Sequence, residues 1–263
     1  MFDILRANVL FLDGDHSGAA ALYCEGAKMG DAEAAFNYGY CLLHGYGVPQ
    51  DPKEAKSFFV YSSGLDGGEA CYNLAVMYLH GVGIKRDYRK CYEYMRDAAE
   101  LGCIEAQLYL GIAHTLGGLF EPDVVSISRI PFHTPEYQRE GMYIEGHVED
   151  DDEDDLRYAA VRFDPVLAHE FFREAARHGT DYVEEISAKS KYLYARCFLD
   201  GVGTDFNRDV ANRLMLDAAS CGSTEAIYYL ETDAPYVLAS IKDDELLAKI
   251  NSYRYLASAE RED

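Results

Sequence analysis

The sequence has no tryptophan, few prolines and too few basic residues to balance its acids. Lys and Arg total 24 against 46 Asp and Glu, a formal charge of −22 over 263 residues. No Lys/Arg cluster interrupts that imbalance, so composition argues against binding to nucleic acid or to an anionic membrane surface. No apolar run approaches the length of a membrane span. The start, Met1-Phe2-Asp3-Ile4-Leu5-Arg6, lacks a basic stretch followed by an apolar one, so no secretory signal is expected. No Cys-x-x-Cys occurs among the seven cysteines. That removes the usual zinc and redox motifs and fits free thiols in a reducing cytoplasm.

Catalytic motifs are missing as well. There is no Gly-x-Ser-x-Gly elbow. Gly45-Tyr46-Gly47 and Gly81-Val82-Gly83 are not followed by Lys-Ser/Thr, so they make no phosphate loop. His169-Glu170-Phe171-Phe172 lacks the second histidine of a zinc-protease helix. His44 and His80 lie 36 residues apart, which marks a repeated position rather than a metal pair. No catalytic residue, metal or cofactor is expected, and the chain reads as non-enzymatic.

What is present is a period. Residues 34–48 and 70–84 align at an offset of 36, with Asn37-Tyr38-Gly39-Tyr40 over Asn73-Leu74-Ala75-Val76. Ala34, Ala70 and Ala106 keep step, as do Gly45, Gly81 and Gly117, and Asp15, Asp51, Asp87 and Asp123. The pattern resumes in a new phase: Leu199-Asp200-Gly201-Val202-Gly203 matches Leu79-His80-Gly81-Val82-Gly83. Each repeat parses into two helices. The first carries small or apolar residues in steps of four (Ala34, Tyr38, Leu42; Ala70, Leu74, Tyr78), which share one helical face. Gly-x-Gly ends it. The second opens on an acidic cap, as in Asp51-Pro52-Lys53-Glu54 and Asp164-Pro165. It is expected to bury Phe58, Tyr94, Phe171, Leu214 and Ile250, with Ala55, Ala168, Ala211 and Ala219 allowing close approach. A helix pair repeating every 36 residues predicts an all-α chain, an α/α solenoid of about six pairs, because no pair buries its own apolar face. Residues 1–263 read as one stack, with a worn capping repeat at 231–263.

The pattern Ala-x-x-x-Leu/Tyr-Gly/Ala-x-x-Tyr-x-x-Gly-x-Gly-Val, then an acidic cap, then Ala-Ala-x-x-Gly, resembles the Sel1-like repeat, a relative of the tetratricopeptide repeat. Ala70 to Gly102 is its best copy. The resemblance implies a right-handed superhelix and an adaptor or scaffold that binds other proteins, often in bacteria. Some secreted members staple each repeat with a disulfide. Here only Cys41 and Cys197 share a phase, so that framework is not expected.

The resemblance also implies that first helices line a concave groove. The positions that would face it are Phe36, Tyr72, Leu108, Tyr192 and Tyr228, then Asn37, Asn73, Tyr109 and Tyr229, then Tyr40 and Arg196 a turn later. Aromatics supply contact area and amides can hold a peptide backbone. The same aromatics would equally serve to seal the seams between repeats, and the sequence leaves both readings open.

Two insertions break the period, one of seven residues between Gly179 and the next first helix at Ser190, and a long one at about 120–163. The long one contains Pro122, Pro131 and Pro135, so it is not one helix. It also contains seven consecutive acids, Glu149, Asp150, Asp151, Asp152, Glu153, Asp154 and Asp155. These read as a solvated loop tip or as a docking strip for a basic partner. They lack the alternation and the Gly turn of a calcium loop. The leading expectation is a cytoplasmic adaptor that binds a protein or peptide in the concave groove, the acidic surface favouring a basic partner. The alternative is an acidic inhibitor or immunity-type protein that masks a cationic toxin or nuclease.

Overall fold

The computed structural model describes residues 3–65, 67–116, 118–119, 160–178 and 184–259. The acidic run 149–155 lies outside these. Contacts divide the chain into two compact units, Met1–Ala106 with Gly118–Val161, and Gln107–Gly117 with Arg162–Asp263.

The first unit holds helices α1 (Ile4–Leu12), α2 (His16–Lys28), α3 (Ala32–His44), α4 (Pro52–Ser63), α5 (Gly68–His80) and α6 (Tyr88–Glu100). Each packs on the next. Helix α7 (Ile104–Leu116) begins in this unit and gives most of its length to the second. The second unit continues with α8 (Pro165–His178), α9 (Glu184–Asp200), α10 (Arg208–Ser220), α11 (Thr224–Thr232), the short α12 (Pro235–Ala239) and α13 (Asp244–Ala259).

The acidic starts act as expected. Asp15, Asp31, Asp51 and Asp87 accept the backbone N–H three residues on, at 2.9, 2.7, 2.9 and 3.0 Å. Asp164, Asn207 and Ser223 do so in the second unit. Each cap stabilises its helix by about 1 kcal/mol.

The two glycines of each Gly-x-Gly have different work. Gly45, Gly81 and Gly201 are the left-handed residues that end α3, α5 and α9, with φ of 77°, 72° and 69°. Gly47, Gly83 and Gly203 are also left-handed, but they are pressed against another repeat. A Cβ on Gly47 would lie 2.2 Å from the His16 carbonyl oxygen. On Gly83 it would lie 2.6 Å from Pro52 Cβ, and on Gly203 2.0 Å from the Pro165 carbonyl oxygen. The second glycine therefore seats each turn on the first residue of the preceding repeat's second helix.

The second helices present a face rotated by one residue from the sequence expectation. Phe59, Met95, Phe172 and Met215 are the buried residues, while Phe58, Tyr94, Phe171 and Leu214 are only half-buried. The small residues Ala55, Cys91, Ala168 and Ala211, all fully buried, set this face, because the position four residues on lies above them. The flanking rings pack sideways instead: Phe58 meets Tyr38 edge-on at 4.8 Å, and Tyr94 stacks on Tyr78 at 5.7 Å. Ile250 is buried as expected.

Two irregular stretches also take shape. The residues inserted before Ser190 lengthen α9 to 17 residues against 13 in α3 and α5. Gly118–Leu119 and Ala160–Val161 form a two-stranded antiparallel pair that draws together the ends of the long insertion.

Candidate functional site

The groove-facing candidates meet two fates. In the first unit Phe36, Asn37 and Tyr40 on α3, and Tyr72 and Asn73 on α5, are all buried. Phe36 packs on Phe59 at 5.8 Å. The Asn37 Nδ2 and both polar atoms of the Asn73 amide have no protein hydrogen-bond partner among the described residues. On α7, Leu108 and Tyr109 are buried too, Leu108 within a cluster of Ala168, Phe172 and Cys197.

The candidates on α9 and α11 are open. Tyr192 and Tyr229 are half-buried, Arg196 is exposed, and Tyr228 is 58% exposed. Together with Leu199, Asp200, Thr224, Glu225 and Asp233 they line one cleft of about 630 Å³. That volume lies within the range of ligand pockets, roughly 300–1,000 Å³. The α9 wall uses residues spaced by four, seven and eight, one helical face. The α11 wall uses its first turn, its middle and its C-cap Asp233. Helix α10 packs against both walls.

Local contacts fix the walls. Tyr229 Oη donates to Asn212 Oδ1 at 2.9 Å, and Asn212 Nδ2 donates to Tyr236 Oη at 2.8 Å. Asn212 is buried on α10, so it sets the direction of the Tyr229 ring. Beside Tyr192, the buried Lys191 ties α9 to α10. Its Nζ is 3.2 Å from Asp217 Oδ2 and 3.1 Å from Cys221 Sγ. Burial disfavours its charge, yet the bonds to Cys221 and Asp217 outweigh that and raise its pKa.

The charges of the cleft are uneven. Arg196 donates to Asp200 at 2.8 and 2.9 Å and to Tyr192 Oη at 3.0 Å, so its charge is answered on its own helix. Glu225 accepts from the Ser223 hydroxyl at 3.0 Å, and Asp233 from the Thr232 hydroxyl at 2.7 Å. Neither carboxylate has an ion-pair partner among the described residues.

No group of three or more His, Cys, Asp or Glu among the described residues is arranged to hold a metal. Burial pushes the thiols of Cys41 and Cys197 up to about 12 and that of Cys71 to about 11, which keeps them protonated and unreactive. Among the described residues no helix is long and apolar enough to cross a membrane.

Repeat phase does not single out Asp200, Glu225, Asp233 or Asn212 as site residues. Asp200 is readable as the i+4 partner of Arg196, and Glu225-Ala226 aligns with Glu105-Ala106, where Glu33, Glu69 and Glu105 keep the 36-residue step. Asp233 and Asn212 carry no local signal; only the ending of α11 and the packing of α10 bring them to the cleft.

Known proteins fit this picture. The Sel1 repeat model matches residues 32–60, 68–103, 160–180 and 188–223. No match was found among curated proteins. Among solved structures, a Sel1 repeat protein from Oxalobacter formigenes is similar at a TM-score of 0.65 and 16% identity, over 96% of this chain and 85% of that one. The protective antigen c5321 of uropathogenic Escherichia coli, which displays an SLR fold, is similar at 0.63 and 17% identity. That likeness covers 98% of this chain and 45% of the antigen. At such identities the likeness is one of fold, an α-solenoid of helix pairs. The four matched segments, with the repeated caps and glycine pairs, show that this chain carries Sel1 repeats.

Proposed function

We propose that the chain is a non-enzymatic adaptor that holds a segment of a partner protein in the α9–α11 cleft. One observation carries the reading. Phased aromatic positions that are buried in α3 and α5 stand open in α9 and α11 and converge on one cavity. Sel1 repeats generally serve as protein-interaction scaffolds, which supports a protein partner. Seven free cysteines support action in a reducing compartment such as the cytoplasm.

A photo-reactive phenylalanine analogue at position 228 tests this, with the same analogue at the exposed Tyr61 of the first unit as control. Irradiation in native lysate should yield a discrete protein adduct from position 228 and none from position 61. Tyr192→Ala in the same chain should abolish the adduct. Adducts of equal yield from both positions would overturn the cleft as the binding site. An inhibitor that masks a cationic toxin by diffuse charge would behave differently. Its complex would weaken steeply with salt and ignore substitutions in the cleft.

A further inference from the structure

Resting on the cleft as the partner site, we infer that its occupant is a segment of the partner protein that carries cationic side chains, Lys or Arg, one of them seated against Tyr228 and Glu225 and the segment running toward Asp233. Three features of the cleft point the same way.

The first is charge. Arg196 and Asp200 pair with each other, so the lining is left with two carboxylates, Glu225 and Asp233, that hydroxyl groups alone satisfy. Cationic groups on one segment answer both, whereas an acidic segment would meet repulsion. The second is the ring. Tyr228 turns an exposed face to solvent, and Glu225 stands three residues before it on the same side of α11. A guanidinium or ammonium over that face gains from the ring's negative π surface while pairing with the carboxylate. The third is the helix end. Asp233 caps the C-terminus of α11, where unsatisfied carbonyl groups carry partial negative charge and favour a nearby cation. The remaining lining, Leu199 with the rings of Tyr192 and Tyr229, suits the aliphatic stem of that side chain or its apolar neighbours.

The charge is local, not a share of the chain's overall −22. A fluorescein-labelled hexa-arginine peptide, an isosteric hexa-citrulline peptide and spermidine separate the possibilities, with affinities read by fluorescence anisotropy on the whole chain. The arginine peptide should bind and the citrulline peptide should bind at least about tenfold more weakly, since only the charge differs. Glu225→Gln with Asp233→Asn should weaken the arginine peptide about tenfold or more, as should Tyr228→Ala. Glu25→Gln with Glu54→Gln removes the same two charges from exposed sites in the first unit and should change affinity less than about twofold. Melting curves confirm that each variant is folded.

Equal losses from the two double variants would overturn the proposal, because diffuse charge would then explain binding. Equal binding of the citrulline peptide would also overturn it. Should the position-228 adduct with a protein still form in that case, the cleft would stand and only the cation would fall. Displacement of the arginine peptide by spermidine at comparable concentration would assign the corner to a free polyamine and refute a protein segment as its occupant.

Discussion

Helices α5 and α11 begin corresponding repeats, yet they live in different surroundings. Helix α5 is packed by α4 on one side and α6 on the other, and every residue from Ala70 to Leu79 is buried. Helix α11 packs on α10, α12 and α13, but α12, which follows it, is five residues long and has no buried residue. Only Ala226, Ile227 and Leu230 of α11 are buried. The same residue at the same phase shows the result: Tyr72 is 6% exposed and Tyr228 is 58% exposed. Repeat phase decides which way a side chain points. The neighbouring repeat decides whether that direction is seam or groove. A cleft opens where the repeat is worn.

The largest expected effect lies on the closed side. Tyr72→Ala removes a buried ring from a packed seam, a change that costs about 3 kcal/mol or more. Urea unfolding followed by far-UV circular dichroism measures it. A cost below about 1 kcal/mol would show that the α5 seam collapses around the gap, and that burial there is not tight packing.

A second test of the first unit uses pH. His44 sits at the end of α3 against Tyr40 at 4.3 Å and Tyr46 at 5.7 Å. Both ring nitrogens are buried without a protein hydrogen-bond partner among the described residues. Burial lowers its pKa from 6.5 to about 4. The unfolded chain therefore binds a proton below pH 6.5 that the folded chain refuses until about pH 4. Stability from this group is complete above pH 6.5 and falls as pH drops toward 4, by up to about 3 kcal/mol. His44→Phe should flatten that part of the stability–pH curve. In the second unit burial and Arg173 lower the His169 pKa as well, so His169→Phe should change the acid limb in the same direction. An unchanged acid limb in His44→Phe would mean that the ring gains a hydrogen bond on protonation.

Asn212→Leu is expected to cost less, about 1–2 kcal/mol, by leaving the Tyr229 and Tyr236 hydroxyls without their partner. It also frees the Tyr229 ring in the cleft. Capture of the arginine peptide should weaken even where the melting temperature is restored by a stabilising substitution elsewhere. Full binding by a destabilised Asn212→Leu chain would show that Asn212 supports the fold and not the site.

Much of this molecule is legible in its sequence. The 36-residue period, the acidic caps and the glycine pairs are local patterns with local causes, so helix starts and stops follow from them. Hydrophobicity alone misplaces the buried face of the second helices by one residue. Phe58 and Phe59 are adjacent aromatics, and apolar character does not choose between them; the small Ala55 beneath Phe59 does. The site is half legible. Phase points to Tyr192, Arg196, Tyr228 and Tyr229, but equally to Phe36, Asn37, Tyr40, Tyr72, Asn73, Leu108 and Tyr109, which are buried. Phase is shared by every repeat, whereas exposure depends on the next one. The five-residue α12 beside the α11 wall starts at Pro235 in the last, poorly matching copy, where there is no repeat phase from which its length could be read.

The smallest expected change in stability carries the most weight for function. Tyr228 is largely exposed, so Tyr228→Ala should alter unfolding free energy by no more than about 0.5 kcal/mol. Tyr72→Ala, its phase partner, should unfold the first unit more easily and leave the second unit's cleft intact, provided the protein is studied below its lowered melting temperature. The two substitutions thus exchange roles: one costs stability and spares peptide capture, the other spares stability and loses capture. Combining them should give a stability loss equal to that of Tyr72→Ala alone within about 0.5 kcal/mol, because the two sites share no partner. A Tyr228→Ala cost above about 1 kcal/mol would mean that this ring is held by contacts, so that α11 presents a seam like α5 and the contrast between the two helices disappears.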